Sequence, residues 1–157
     1  MSGLNLVTLI VPSYDPAIAF FTQILGFTLL EDKPALTNDG RPKRWVVVHP
    51  PAQTPAPSGT PATGGEAGGS RQARAGGASI LLAQADGPEQ LSIVGRQFSG
   101  RVGFFWSVED FWGTYERLKG SGVEFVTEPR REEYGLVVVF LDCVGNKWDL
   151  LGPRTKE

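Results

Sequence analysis

Imidazole and thiol groups, which bind transition metals and attack substrates, are scarce in this chain of 157 residues. There is one histidine, His49, and one cysteine, Cys143. Cys143 stands in Asp142-Cys143-Val144-Gly145-Asn146, which reads as a tight turn. No base lies beside it in sequence to make a thiolate, so its reading is structural. His49 closes a valine-rich run and reads either as a strand-end histidine near solvent or as a ligand-contacting, proton-transferring imidazole. Asp149 interrupts the apolar run Lys147–Leu151. An ionised carboxylate among apolar neighbours is costly unless paired. Three readings follow: an ion pair with Arg101 or a lysine, a contact with a ligand cation, or a base of raised pKa. Residues 129–135, PRREEYG, bring Arg131 and Tyr134 together. They offer a guanidinium and a phenol to a ligand, or simply form a solvated charged turn. His49 and Asp149 would supply two metal ligands at best, where a protein site needs three or four.

Composition excludes several partners. The chain has 15 basic and 17 acidic residues and a formal charge of −2, with no basic stripe, so nucleic acid is not expected. No apolar run approaches the roughly 20 residues of a membrane span, and no secretory signal pattern opens the chain. A lone cysteine forms no intrachain disulfide, which suits a reducing compartment, so a cytoplasmic location is expected. The length suits one domain over residues 1–157.

The elements that must position these residues read as a repeat. Residues 4–11 read as a strand, with Leu6, Val7, Leu9, Ile10 and Val11 apolar. Asp15-Pro16 opens a helix, with Asp as cap and Pro in the first turn. Ala17, Ile18, Phe21, Ile24 and Leu25 form its buried face and Gly26 ends it. Strands at 27–30, 44–49 and 78–84 follow. Residues 101–108 form a further strand, and Ser107 to Asp110 resembles a capping box for a helix whose face is Phe111, Trp112, Tyr115 and Leu118. Gly120 and Gly122 stop it, and strands at 123–127, 136–141 and 147–151 close the chain. Laying Val11 on Val108 brings the same punctuation into line, so the chain reads as two βαβββ modules. The first covers residues 4–49 plus 78–84 and the second 101–152. Residues 50–77 are a Pro/Gly/Ala-rich insertion without a large apolar residue, expected to be mobile. Within it, Pro51 to Pro55 is a PxxP-like fragment, and Arg71 and Arg74 are placed to swing over a cleft. Residues 85–100 are a connector, with a short helix or irregular stretch at 86–94 and a hinge at 95–100.

Val7 to Phe27, VTLIVPSYDPAIAFFTQILGF, resembles the opening of the vicinal oxygen chelate superfamily, the group of glyoxalases, bleomycin-resistance proteins and extradiol dioxygenases. Residues 77–84, GASILLAQ, and 140–152, FLDCVGNKWDLLG, resemble that family's strand endings. The resemblance implies an α+β fold in which two paired βαβββ modules form a curved mixed sheet around a cleft. It also implies a divalent metal acting there as a Lewis acid, held by residues of the first and last strands of each module. Those positions fall on Leu6, Leu81 (Leu82 if the alignment is one out), Gly103 and Asp149. Three of the four have no donor, so no metal and no other cofactor is expected.

Strand alternation shows what remains in the cleft. Leu6, Thr8 and Ile10 share one face, as do Ser79, Leu81 and Ala83. Arg101, Gly103, Phe105 and Ser107 share another with Lys147, Asp149 and Leu151. The ligand-binding candidates are therefore Thr8, Leu81, Arg101, Phe105, Ser107, Tyr134 and Asp149 in a mostly apolar cup. Such a cup suits an aromatic or polycyclic molecule, as in the drug-binding members of the family. The resemblance makes a homodimer the expected assembly. The alternative is a glyoxalase-like lyase or isomerase, or a dioxygenase-type enzyme, using Asp149 with Tyr134 or His49, or a metal arrangement the family positions do not reveal. A third reading is an interaction module with a vestigial cleft.

Overall fold

A computed structural model describes residues 2–52 and 77–154. The segment 53–76, which holds most of the expected insertion, including Pro55, Arg71 and Arg74, lies outside the described residues.

The first sheet is built from β1 (Leu6–Val11), β2 (Thr28–Leu36), β3 (Pro42–His49) and β4 (Ser79–Gln84), in the order β1-β4-β3-β2. β1 runs parallel to β4, and the other neighbours are antiparallel. Helix α1 (Tyr14–Ala19) follows β1 and continues as a π-helical turn, Phe20–Ile24. Gly26, at φ +79°, ends it in a conformation that costs glycine little. A short helix α2 (Gly87–Ile93) leads to the second sheet. This consists of β5 (Val102–Ser107), β6 (Arg130–Glu132), β7 (Gly135–Leu141) and β8 (Lys147–Leu151), in the order β5-β8-β7-β6. Helix α3 (Phe111–Gly120) follows β5, which is parallel to β8. The second sheet thus repeats the topology of the first, giving the α+β pair of βαβββ modules expected from the sequence. Among the described residues, no helix is long and apolar enough to cross a membrane.

One face of each sheet feeds a common core. Leu9, Val11, Val46, Val48, Ile80 and Leu82 join Trp106, Val138, Phe140, Trp148 and Leu150 in a single cluster with the helices. Aromatic rings link the two sides: Phe21 meets Trp148 at 5.7 Å and Phe27 meets Trp106 at 5.2 Å between centroids. Phe104 stacks on Trp148 at 4.4 Å. Such pairs contribute roughly 0.5–1.5 kcal/mol each beyond area burial. Arg117 of α3 adds a polar tie, donating to the carbonyls of Ile24 and Leu25 at 2.5 and 3.3 Å.

Several local expectations need correction. Ser13, not Asp15, holds the N-cap place of α1, and the Asp15 carboxylate accepts instead from Arg44 at 2.8 Å. The cap of α3 is Asp110 itself, whose Oδ1 accepts from the Gly113 N–H at 2.9 Å, rather than a box beginning at Ser107. Trp112 is 52 % exposed, because Phe111, Tyr115 and Leu118 fill the inward stripe and Trp112 is turned off it. Strand β2 is longer than 27–30, since its outer half is an exposed hairpin arm that hydrophobic patterning does not register. Residues 123–127 form no named strand, although Phe125 bridges to Phe140 and the Val126 N–H donates to the Val139 carbonyl at 2.9 Å. The charged residues 130–132 form β6 instead. Both stretches line the outer edge of β7 and are separated at Glu128-Pro129, where the ring of proline removes a ladder donor. Exposed edge strands tolerate charge, so β6 carries no apolar signal.

The turn at residues 142–146 is as expected, and it explains the resemblance at that end of the chain. Asp142 is buried; its Oδ1 accepts from the N–H groups of Val144 and Asn146 at 3.1 and 3.0 Å. Its Oδ2 accepts from Trp148 Nε1 at 3.0 Å. This carboxylate holds a turn and a core indole in place.

Candidate functional site

The faces turned away from the common core carry most of the candidate residues. On the first sheet the register sets Thr8 beside Leu81 and Leu81 beside Val47. Leu6 lies beside Ser79, whose Oγ is 2.9 Å from His49 Nδ1, with both residues buried. Trp45 lies on this face too, and its Nε1 donates to Glu31 at 2.7 Å. The outer edge of β1 is covered by one side chain. Gln97 Nε2 donates to the Thr8 carbonyl at 2.8 Å, and Gln97 Oε1 accepts from the Ile10 N–H at 2.9 Å. The amide thereby stands in for a neighbouring strand.

On the second sheet, Phe105 lies directly opposite Asp149, which lies opposite Val139. Ser107 and Leu151 form the next pair on that face. A register shift falls between Val102 and Phe104, leaving Gly103 as the extra residue of a bulge. The alternation reverses there, and Val102 rather than Gly103 stands opposite Lys147. Arg101 precedes β5 and is exposed, and it is not the cation whose charge reaches Asp149. The cation that acts on Asp149 is Arg130, which also lies within electrostatic reach of Tyr134. Arg130 Nε is bonded to Glu132 at 2.8 Å.

Asp149 is 9 % exposed, and its Oδ1 is sealed from solvent without a hydrogen-bond partner. Burial raises its pKa above the usual carboxylate value, and Arg130 opposes that rise in part. The Cys143 residue is exposed, yet desolvation around its sulfur, with the Asp142 carboxylate beside it, pushes the thiol up to about 12. It stays protonated at neutral pH, in keeping with a structural reading.

A mostly apolar hollow lies between the two sheets. Val7 and Ile80 of the first sheet and Phe104, Trp106 and Trp148 of the second line about 620 Å³, with Phe27 against both tryptophans. Gly103, Phe105 and Ser107 bring the outer edge of β5 to it. Phe105 is 65 % exposed. A second hollow of about 650 Å³, at the far end of the first sheet, includes Leu81. Its guanidiniums are satisfied by the protein: Arg41 by Asp39 and Asp86 at 2.9 and 2.7 Å, Arg44 by Asp15 and Asp32 at 2.8 and 2.7 Å. The first hollow is therefore the better candidate for an organic ligand.

The sequence-level candidates thus divide into two groups. Phe105, Ser107 and Asp149 stand together on the second sheet, with Tyr134 near Arg130. Thr8, Leu81 and His49 stand on the first. Strand alternation sets Phe104, Trp106 and Trp148 on the face opposite those candidates, and neither it nor the motifs pointed to Phe27, Arg130 or Gln97. A glycine within an otherwise aromatic strand was the available signal for the bulge beside them.

Of the four positions where the resemblance places metal ligands, three carry no side-chain donor. Leu6 and Leu81 have no donor atoms. At Gly103 the room for a side chain is taken: a Cβ built there would overlap the Phe98 ring, with Cγ at 2.6 Å. Asp149 alone has oxygens. Among the described residues, no three His, Cys, Asp or Glu side chains stand together as a metal-binding group.

The chain was compared with known proteins. A family model described as "Glyoxalase/Bleomycin resistance protein/Dioxygenase superfamily" matches residues 3–150. An uncharacterized protein of Shewanella frigidimarina (strain NCIMB 400) is 38 % identical over 151 residues, covering 96 % of this chain and 93 % of its own. Among solved structures, UcmS2 matches with a TM-score of 0.66 and 26 % identity, covering 96 % of this chain and 98 % of that one. TnmS3, an antibiotic binding protein from Streptomyces sp. CB03234, matches with a TM-score of 0.61 and 23 % identity, covering 98 % and 97 %.

Proposed function

Because the chain belongs to the Glyoxalase/Bleomycin resistance protein/Dioxygenase superfamily, whose fold hosts enzymes and binders alike, we propose that it binds a small aromatic or polycyclic molecule between its two sheets, without a metal of the family's kind. The observation that carries this reading is the inter-sheet hollow, walled by Phe27, Phe104, Phe105, Trp106 and Trp148. Aromatic walls of this kind hold flat apolar ligands by offset and edge-on ring contacts. The donorless positions Leu6, Leu81 and Gly103 support the metal-free part. The antibiotic-binding description of TnmS3 supports the ligand class, although that likeness is one of fold.

The assembly in this reading is a homodimer of one-domain chains in the cytoplasm, with no nucleic acid or membrane partner. The exposed Phe105 face favours the dimer, because a partner chain would cover it. Ser107, which lines the same hollow, is its further polar contact. The raised pKa of Asp149 favours a second reading, an acid–base enzyme using Asp149 with Tyr134. Turnover of a bound compound would select it.

Calorimetric titration with a panel of polycyclic aromatics tests the proposal. Saturable one-to-one binding is expected, weakened about 3- to 10-fold by Phe105→Ala, since that ring contributes one exposed aromatic contact. Absence of saturable binding across the panel would sink the reading, and unchanged affinity in the variant would remove Phe105 from the site.

A further inference from the structure

Five consecutive residues of β5, Gly103 to Ser107, line the hollow. Phe104 and Trp106 belong to the common core, whereas Phe105 and Ser107 stand on the opposite face of the sheet. A strand whose two faces both border one cavity meets it edge-on. β5 is the terminal strand of its sheet, with β8 on one side only. One bond fixes where its backbone groups point: the Val108 N–H donates to the Leu151 carbonyl at 2.9 Å. In a parallel ladder alternate residues turn their N–H and C=O to the partner strand, so Val108, Trp106 and Phe104 face β8. Phe105 turns both groups the other way, to the edge that lines the hollow. Among the described residues, none bonds to either group. The terminal strand of the first sheet is treated differently, because the Gln97 amide covers the outward groups of Thr8 and Ile10. The hollow therefore has one open, directional pair, a donor beside an acceptor on rigid backbone, next to walls that supply only apolar area.

We propose that this edge of Phe105 is the polar recognition element of the ligand site, and that the ligand is an aromatic compound carrying a cyclic amide. The amide N–H donates to the Phe105 carbonyl, and the amide C=O accepts from the Phe105 N–H. An extended residue holds its two groups side by side on one edge, and a lactam presents the complementary pair side by side. The inference rests on the reading of the hollow as the ligand site and adds the ligand's chemistry to it. Strand addition by a long peptide is not favoured, since it needs outward pairs at regular spacing and the bulge at Gly103 interrupts them.

The test uses the full chain and two probes, 2-quinolinone and 1-methyl-2-quinolinone, the second having its N–H blocked. Wild type should bind the lactam about 5- to 10-fold more tightly, the factor expected of a net hydrogen bond. Phe105→Ala keeps the backbone pair and should keep that preference. Phe105→Pro removes the N–H on the side away from β8, where an edge strand tolerates proline, and should bind 2-quinolinone about 5-fold or more weakly than Phe105→Ala. In wild type, saturating 2-quinolinone should slow exchange of the Phe105 amide hydrogen about tenfold or more. Equal affinities of the two probes in wild type, equal affinities of the two variants for the lactam, or an unprotected Phe105 amide would overturn the inference while leaving the hollow as a binding site. Failure of wild type to bind either probe would remove the reading of the hollow and the edge pairing with it. The wild-type comparisons decide even if the proline variant fails to fold.

Discussion

Replacing Gly103 by alanine tests whether the second-module ligand position of the family is filled rather than merely vacant. The added Cβ would overlap the edge of the Phe98 ring, with Cγ at 2.6 Å. The ring is not free to retreat. It packs edge-on against Phe104 at 5.3 Å between centroids, and the Phe98 carbonyl accepts from the Arg101 N–H at 3.0 Å. The preceding residue, Gln97, is bound to β1 at two points. Overpacking of a held ring costs about 1–3 kcal/mol. For a chain of this size that lowers the melting temperature by about 2–4 °C per kcal/mol. Phe98→Ala also destabilises alone, by loss of ring packing. The informative quantity is their coupling. In Phe98→Ala the methyl group at position 103 has room, so the double variant should be more stable than the sum of the single losses by about 1 kcal/mol or more. Urea denaturation of the four proteins measures it. A Gly103→Ala loss below about 0.5 kcal/mol, or simple additivity, would show that the ring does not occupy the position.

Three further outcomes follow from the same contacts. Asp149→Leu should stabilise the protein at pH 7 by about 1–3 kcal/mol, the cost of an unsatisfied buried polar group. The folded pKa of Asp149 lies above its unfolded value, so wild type regains stability as pH falls from above the folded pKa toward the unfolded one. The advantage of the leucine variant should shrink over that window, and denaturation at a series of pH values checks it; a constant advantage would contradict the ionisation argument. Gln97→Ala removes two hydrogen bonds from the edge of β1, so the Ile10 amide should exchange with solvent faster by about tenfold or more, as read by hydrogen exchange. Asp142→Ala leaves the N–H groups of Val144 and Asn146 and the indole of Trp148 without their acceptor. A loss of about 3 kcal/mol or more is expected in a thermal or urea melt.

How much of this was legible in the chain depended on which physical signal each part carries. The repeat was readable because apolar runs such as residues 136–141 and the glycine stops at Gly26 and Gly122 record burial and backbone geometry directly. β6 was not, because an edge strand of Arg130, Arg131 and Glu132 has no buried face to announce it. Trp112 was misplaced because a helical stripe read from spacing alone admits a neighbour that the packed core turns outward. The candidate site was half legible. Strand alternation placed Phe105, Ser107 and Asp149 on one face, and it failed at Arg101 because a single bulge residue reverses the order. Alternation had no means of showing that Phe98, five positions before Gly103, would fill the space beside it. Nor did it show that the Asp149 carboxyl would answer to Arg130 rather than Arg101, since that pairing spans separate elements.

The central claim is that this fold holds an aromatic ligand between its sheets after the family's metal-binding positions have lost their donors. Calorimetric titration of 2-naphthol into chelator-treated protein, repeated with equimolar zinc and with nickel, tests it most directly. Saturable binding of the same affinity in all three preparations is the expected result. Binding that appears only after an equivalent of metal has been taken up would contradict it.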